Sequence, residues 1–101
     1  MADEWFDTYP KIDWPTETTR LMRLKAFLED NSDTVAYIAY QWTDKLDRKD
    51  MLKRAKRARN FLIHELKVNR ARIIIIDGKR SSQSLTILQP VKKGTPPPFQ
   101  N

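Results

Sequence analysis

Two apolar runs constrain the fold of this chain more than any other feature. TVAYIAYQW (34–42) is β-branched and aromatic throughout, with both alternating faces apolar, and RIIIID (72–77) places four isoleucines in a row. Strands apolar on both faces belong inside a sheet. The stretch between them is long enough for a helix, so a crossover is expected to set strands in parallel. A chain of 101 residues has room for one domain with one modest core.

The remaining elements follow from local chemistry. EWFDTY (4–9) reads as a short first strand. Asp13 and Thr16 flank Pro15, a helix-opening pattern with a capping side chain and proline in the first turn. Leu21, Leu24 and Leu28, with Ala26 and Phe27 beside them, then repeat at helical spacing as far as Asn31. A second helix is expected to start after Asp44 or Asp47, with Asp47 and Asp50 in its first turn, at the positive end of the dipole. Met51, Ala55, Ala58, Leu62 and Leu66 mark its buried stripe. Asp77 and Gly78 read as a turn, and SLTILQPV (84–91) as a last strand hairpinned to RIIIID across DGKRSS. The expected class is α+β: a two-layer sandwich, order β-α-β-α-β-β, with a mixed sheet and two helices on one face. Residues 1–4 read as an extension, 5–91 as the domain, and 92–101 as a proline-rich flexible tail.

The charge is polarised. Residues 1–44 carry 4 basic and 9 acidic side chains, whereas residues 45–80 carry 13 basic and 4 acidic. Eight of the basic ones fall within TDKLDRKDMLKRAKRARNFL (43–62). Lys49, Lys53, Lys56 and Asn60 form one stripe of the expected helix, with Arg57 beside it and Arg54 and Arg59 on its flanks. The plain reading is a solvated face whose long stems cover apolar edges. Like charges at positions 49/53 and 53/57 nevertheless repel at i,i+4 spacing. That repulsion favours an anionic partner surface built from Lys49, Lys53, Lys56, Arg57 and Arg59.

Several function classes have no support in the sequence. Without cysteine there is no disulfide, thiolate metal site or cysteine nucleophile. The lone His64, near the end of the basic helix, has no ligating or nucleophilic companion and reads as structural. RIIIIDG has the strand-Asp of nucleotide hydrolases but lacks a glycine-rich phosphate loop. No catalytic residues, metal or cofactor are expected, so the chain reads as a non-enzyme. No apolar run is long enough to span a membrane, and MADEWFDTYPK lacks the apolar region of a signal peptide. Trp5, Trp14, Trp42, Tyr9, Tyr37 and Tyr40 are expected in the core or at its edge.

Three stretches, taken in order, resemble the OmpA-like domain of bacterial envelope proteins. FDTYPKIDWPTETTRL resembles the family's opening. QWTDKLDRKDMLKRAKRARNFL resembles its central motif, through Thr43-Asp44, Arg54-Ala55 and Phe61-Leu62. VNRARI resembles the loop that ends in Arg-Ile, here Arg72-Ile73. The likeness covers roughly residues 5–91, and the RAKRARNFL, RIIIIDG and GTPPP stretches also resemble those of short bacterial envelope proteins. The resemblance implies a periplasmic or envelope-associated domain that grips diaminopimelate in peptidoglycan. Asp44 would hold its ammonium and Arg54 its carboxylate, with Thr43 beside them. Only nine residues separate Asp44 from Arg54, fewer than in the family, with no Gly, Asn or Ser among them, and Lys67 stands where the family often ends the helix with glycine. The partner expected first is peptidoglycan or another anionic polymer. A protein partner or self-association through aromatics and charge asymmetry is the alternative, and phosphate-driven nucleic-acid binding by the basic helix is a further one.

Overall fold

The sheet is organised around β2 (Thr34–Trp42). The computed structural model describes residues 5–99. β3 (Ile73–Arg80) lies on one side of β2, β4 (Leu85–Lys92) on the other, and β1 (Asp7–Tyr9) beyond β4, giving the order β1-β4-β2-β3. β2 and β3 are parallel from Ala36↔Ile73 to Tyr40↔Asp77. β4 runs antiparallel to both β2 and β1.

Helices α1 (Trp14–Asp30) and α2 (Lys45–Asn60) pack on one face of this mixed sheet. Leu21, Leu24 and Leu28 of α1 and Met51, Ala55 and Ala58 of α2 form one core with Tyr9, Ala36, Ile38, Tyr40, Ile73 and Leu88. The architecture is therefore the expected α+β sandwich in the order β-α-β-α-β-β. The three tyrosines named above are buried; Trp5, Trp14 and Trp42 are half-buried.

The helix ends show how local chemistry was satisfied. Asp13 is the N-cap of α1, but its side chain makes no capping bond. Only its backbone carbonyl accepts, from the Glu17 N–H at 3.0 Å. Pro15 occupies the second helical position and brings no N–H to such a cap. The stripe of α2 continues into a π-helical turn, Phe61–Glu65, where Leu66 N–H reaches Phe61 O at 3.1 Å. Met51, Ala55, Ala58 and Leu62 are buried and Leu66 half-buried. Lys67 then takes the left-handed conformation (φ 61°), and Val68 N–H closes on Leu62 O at 2.9 Å. This is the geometry glycine normally supplies at a helix end. Asp47 alone is acidic in the first turn of α2; Asp50 lies a turn further on.

The C-terminal third departs from expectation. β3 and β4 do not form a hairpin, because β4 is inserted between β1 and β2. The connection 81–84 passes over the end of β2, where Ser81 N–H binds Trp42 O at 2.8 Å and Arg80 Nε binds Thr43 O at 3.0 Å. Two strand spacings are about 10 Å, within the reach of four residues. The arrangement gives the doubly apolar β2 a neighbour on each side.

β3 is in consequence an edge strand rather than a buried one. Ile73 is buried, Ile75 and Ile76 are half-buried, and Ile74 is 37% exposed. Gly78 does not begin a turn either; it lies within β3. There Gly78 and Lys79 stand against the single Gln41, and Lys79 takes a φ of 74°. Asp77 is drawn into side-chain contacts instead. It accepts from Trp42 Nε1 at 2.9 Å, Lys79 N–H at 2.7 Å and Arg48 Nε at 3.1 Å.

Arg72 closes the opposite end of the sheet. It lies in a 3-10 turn, Arg70–Arg72, and not in the strand. Its guanidinium donates to the carbonyls of Thr34, Leu28 and Asn31 at 2.9, 3.1 and 2.9 Å. The C-terminus of α1 and the start of β2 are thereby pinned to the approach to β3. Beyond β4, Lys93 N–H binds Asp33 O and the Phe99 ring stacks on Trp5 at 5.3 Å. The extension 1–4 and residues 100–101 of the expected tail lie outside the described residues.

Candidate functional site

The start of α2 is built from the residues singled out by the resemblance, and most of them are engaged there. Asp44 is the N-cap, its carboxylate accepting from Asp47 N–H at 3.0 Å. Asp47 answers by accepting from Thr43 N–H at 2.7 Å and Thr43 Oγ1 at 3.1 Å, a reciprocal lock on the first turn. Ser84 Oγ and Lys11 Nζ complete the shell of Asp47. Burial pulls the Asp47 carboxyl up, but the bonds from Ser84, Lys11 and Thr43 outweigh it and hold it well below the usual carboxylate range. Lys11 also reaches Asp50 at 2.9 Å, and Asp50 accepts from Arg54 Nε at 3.3 Å. The Lys11 bond, with help from Arg54, lowers the Asp50 carboxyl too. Among the described residues no ion pair joins Asp44 to Arg54; Arg54 belongs to Asp50.

The basic side chains divide into two groups. Lys49, Lys53 and Lys56 are exposed and, among the described residues, have no ion-pair partner. Arg57 and Arg59 are tied down. Arg57 binds Glu17 Oε1 at 3.0 Å and stacks over the Trp14 ring, 4.2 Å from its centroid. Glu17 is only 2% exposed and also accepts from Tyr9 Oη at 2.7 Å. Burial, and then the Glu17 charge, push the Tyr9 phenol far up. Arg59 donates to the carbonyls of Ile73 at 2.9 Å and Arg70 at 3.1 Å.

Two clefts result, one on each flank of α2. The first, of about 290 Å³, is lined by Asp50, Lys53, Arg54 and Arg57. The second, of about 540 Å³, lies between α2 and β3 and is lined in part by Lys56, Arg59, Asn60, Arg70, Ile74 and Ile75. Both bring guanidinium and ammonium groups together around an open surface hollow, an arrangement suited to carboxylate or phosphate oxygens. The helical stripe in the sequence already contained Lys53, Lys56 and Asn60. Arg70 and Lys11 were not legible as site residues, because only the tertiary fold carries them to α2. A local signal existed for Asp50, four residues before Arg54.

No protein-family model matches this chain, and no curated protein matches it. No helix among the described residues is long and apolar enough to cross a membrane.

Proposed function

We propose that this is a non-catalytic binding domain of the bacterial cell envelope, with an anionic wall or surface polymer as its ligand and peptidoglycan as the first candidate. The observation that carries this reading is the cleft of Asp50, Lys53, Arg54 and Arg57. A carboxylate and three cationic groups border one hollow, a combination suited to a ligand that carries both an ammonium and carboxylates. The likeness of residues 5–91 to OmpA-like domains supports the same reading, with one change of role. Asp44 is committed to capping, so Asp50 takes the ammonium beside Arg54, the ligand displacing Lys11 from it.

Co-sedimentation with isolated peptidoglycan sacculi, at low and physiological salt, tests the proposal. Capture by the native chain should persist in physiological salt and be lost in both Arg54→Ala and Lys53→Glu. Capture that salt removes equally from all three proteins would reject the assignment. Arg57 is unsuitable as a probe because its loss would also expose the buried charge of Glu17.

A further inference from the structure

We propose that the free edge of β3 receives an extended, acidic segment of a partner protein as a fifth strand of the sheet. Among the described residues β3 pairs only with β2, so its other edge has no strand partner; within Ile73–Ile76 only the Ile73 carbonyl accepts from a side chain, that of Arg59. Natural edge strands are usually blunted along their length by lysine, proline or a bulge. Here the C-terminal part is blunted by the irregularity at Gly78 and Lys79. The N-terminal part, Ile73–Ile76, holds neither a charge nor a proline. It borders the 540 Å³ cleft beneath α2.

The groups around this edge specify the incoming strand. Around the cleft stand Lys56 and Arg59 of α2 and Arg70 of the turn that leads into β3. Arg59 is pre-positioned by its bonds to the Ile73 and Arg70 carbonyls, and these leave part of its donor fork open. Ile73 and Ile75 pack into the core beneath the helices, so by strand alternation Ile74, 37% exposed at the rim of the cleft, and Ile76 project to the other face of the sheet. A strand laid on this edge would therefore meet cations on one face and isoleucines on the other. Alternating acidic and apolar side chains satisfy both, while the main chain pairs with β3.

The same charges disfavour a second copy of this chain. Antiparallel self-pairing along this edge would set the basic clefts of the two copies, each with Lys56, Arg59 and Arg70, side by side on the same face, and like charges brought together across an interface are destabilising. The edge thus repels its own kind and attracts an acidic strand. This site lies on the other flank of α2 from the cleft of Lys53 and Arg54, so the two could be occupied together.

The test uses the full chain and a labelled, end-blocked peptide alternating glutamate with valine, followed by fluorescence polarisation and by amide hydrogen exchange. The expected result is saturable binding with slowed exchange at Ile74–Asp77. A peptide with proline in place of valine keeps the charge but cannot form a ladder, and should not bind. The double variant Lys56→Glu/Arg70→Glu, altered at two exposed positions, should bind about tenfold more weakly with an unchanged unfolding midpoint. Equal binding of the proline peptide would overturn the proposal in favour of a generic anion site. Absence of binding, or protection confined to α2, would overturn it as well. Protection of β3 in the protein alone that grows with its concentration would assign the edge to a second copy.

Discussion

An added methyl at Gly78 would come within 3.0 Å of the Tyr40 carbonyl oxygen and of Gln41 Cγ. The glutamine can shift, but the carbonyl belongs to the central strand and cannot. Gly78→Ala is therefore expected to destabilise by about 1–3 kcal/mol, read as a lower urea midpoint with an unchanged slope. A midpoint equal to the native one would show that the close approach carries no weight. The sequence offered Asp-Gly as a turn signal, and the position failed as a turn because its glycine answers a contact with a neighbouring strand. Arg57 was misleading in the same way. Its spacing placed it on a solvated face, whereas the fold puts Glu17 and Trp14, forty residues or more away, under its guanidinium. Lys67 shows the reverse: the helix-ending conformation is kept although the residue best suited to it is missing.

At the scale of elements, α2 was the most legible part of the chain. Its buried stripe and its capping aspartate both follow from local rules, and both are present. What tethers its first turn was not legible, because Lys11 and Ser84 come from opposite ends of the sequence. The tether makes a prediction about acid. Asp47 and Asp50 have folded-state pKa values below their ordinary value of 3.8. A depressed carboxylate contributes stability above its unfolded pKa and loses it as pH falls toward the folded one. The thermal midpoint should thus be flat down to about pH 5 and fall below about pH 4. Asp47→Asn should be less stable at neutral pH and show a shallower acid loss; parallel curves for the two proteins would rule out the tether as the cause. For β3 the isoleucine run predicted a strand correctly but could not tell interior from edge. That distinction depends on where β4 inserts.

Across the whole molecule, a polar knot ties both helices to the first strand. Tyr9 of β1, Glu17 of α1 and Arg57 of α2 meet beneath the helices, with Trp14 stacked on the guanidinium. Arg57→Ala would leave the buried Glu17 carboxylate with the Tyr9 hydroxyl alone. Removing one partner of a wholly buried pair costs roughly 3–5 kcal/mol. Arg57 is itself 46% exposed, so about 2 kcal/mol is expected, measured by urea unfolding; a loss below about 0.5 kcal/mol would reduce the knot to an ordinary surface pair. The charge polarity of the sequence finds its place at this scale too. The acidic half supplies Asp7, Glu17 and Asp44 to internal contacts, while Lys49, Lys53 and Lys56 remain uncompensated on the outside.

The position of β4 also has a consequence in time. A nascent polypeptide that has left the ribosome as far as Arg80 can bring β2 and β3 together around their crossover helix. β1 then has no neighbour, because the strand that joins it to β2 has yet to emerge, and one side of the most apolar strand in the protein stands bare. Synthesis thus passes through an interval in which a half-built sheet displays an open, sticky flank. It ends only when residues 85–92 slide into the gap between the first strand and the second.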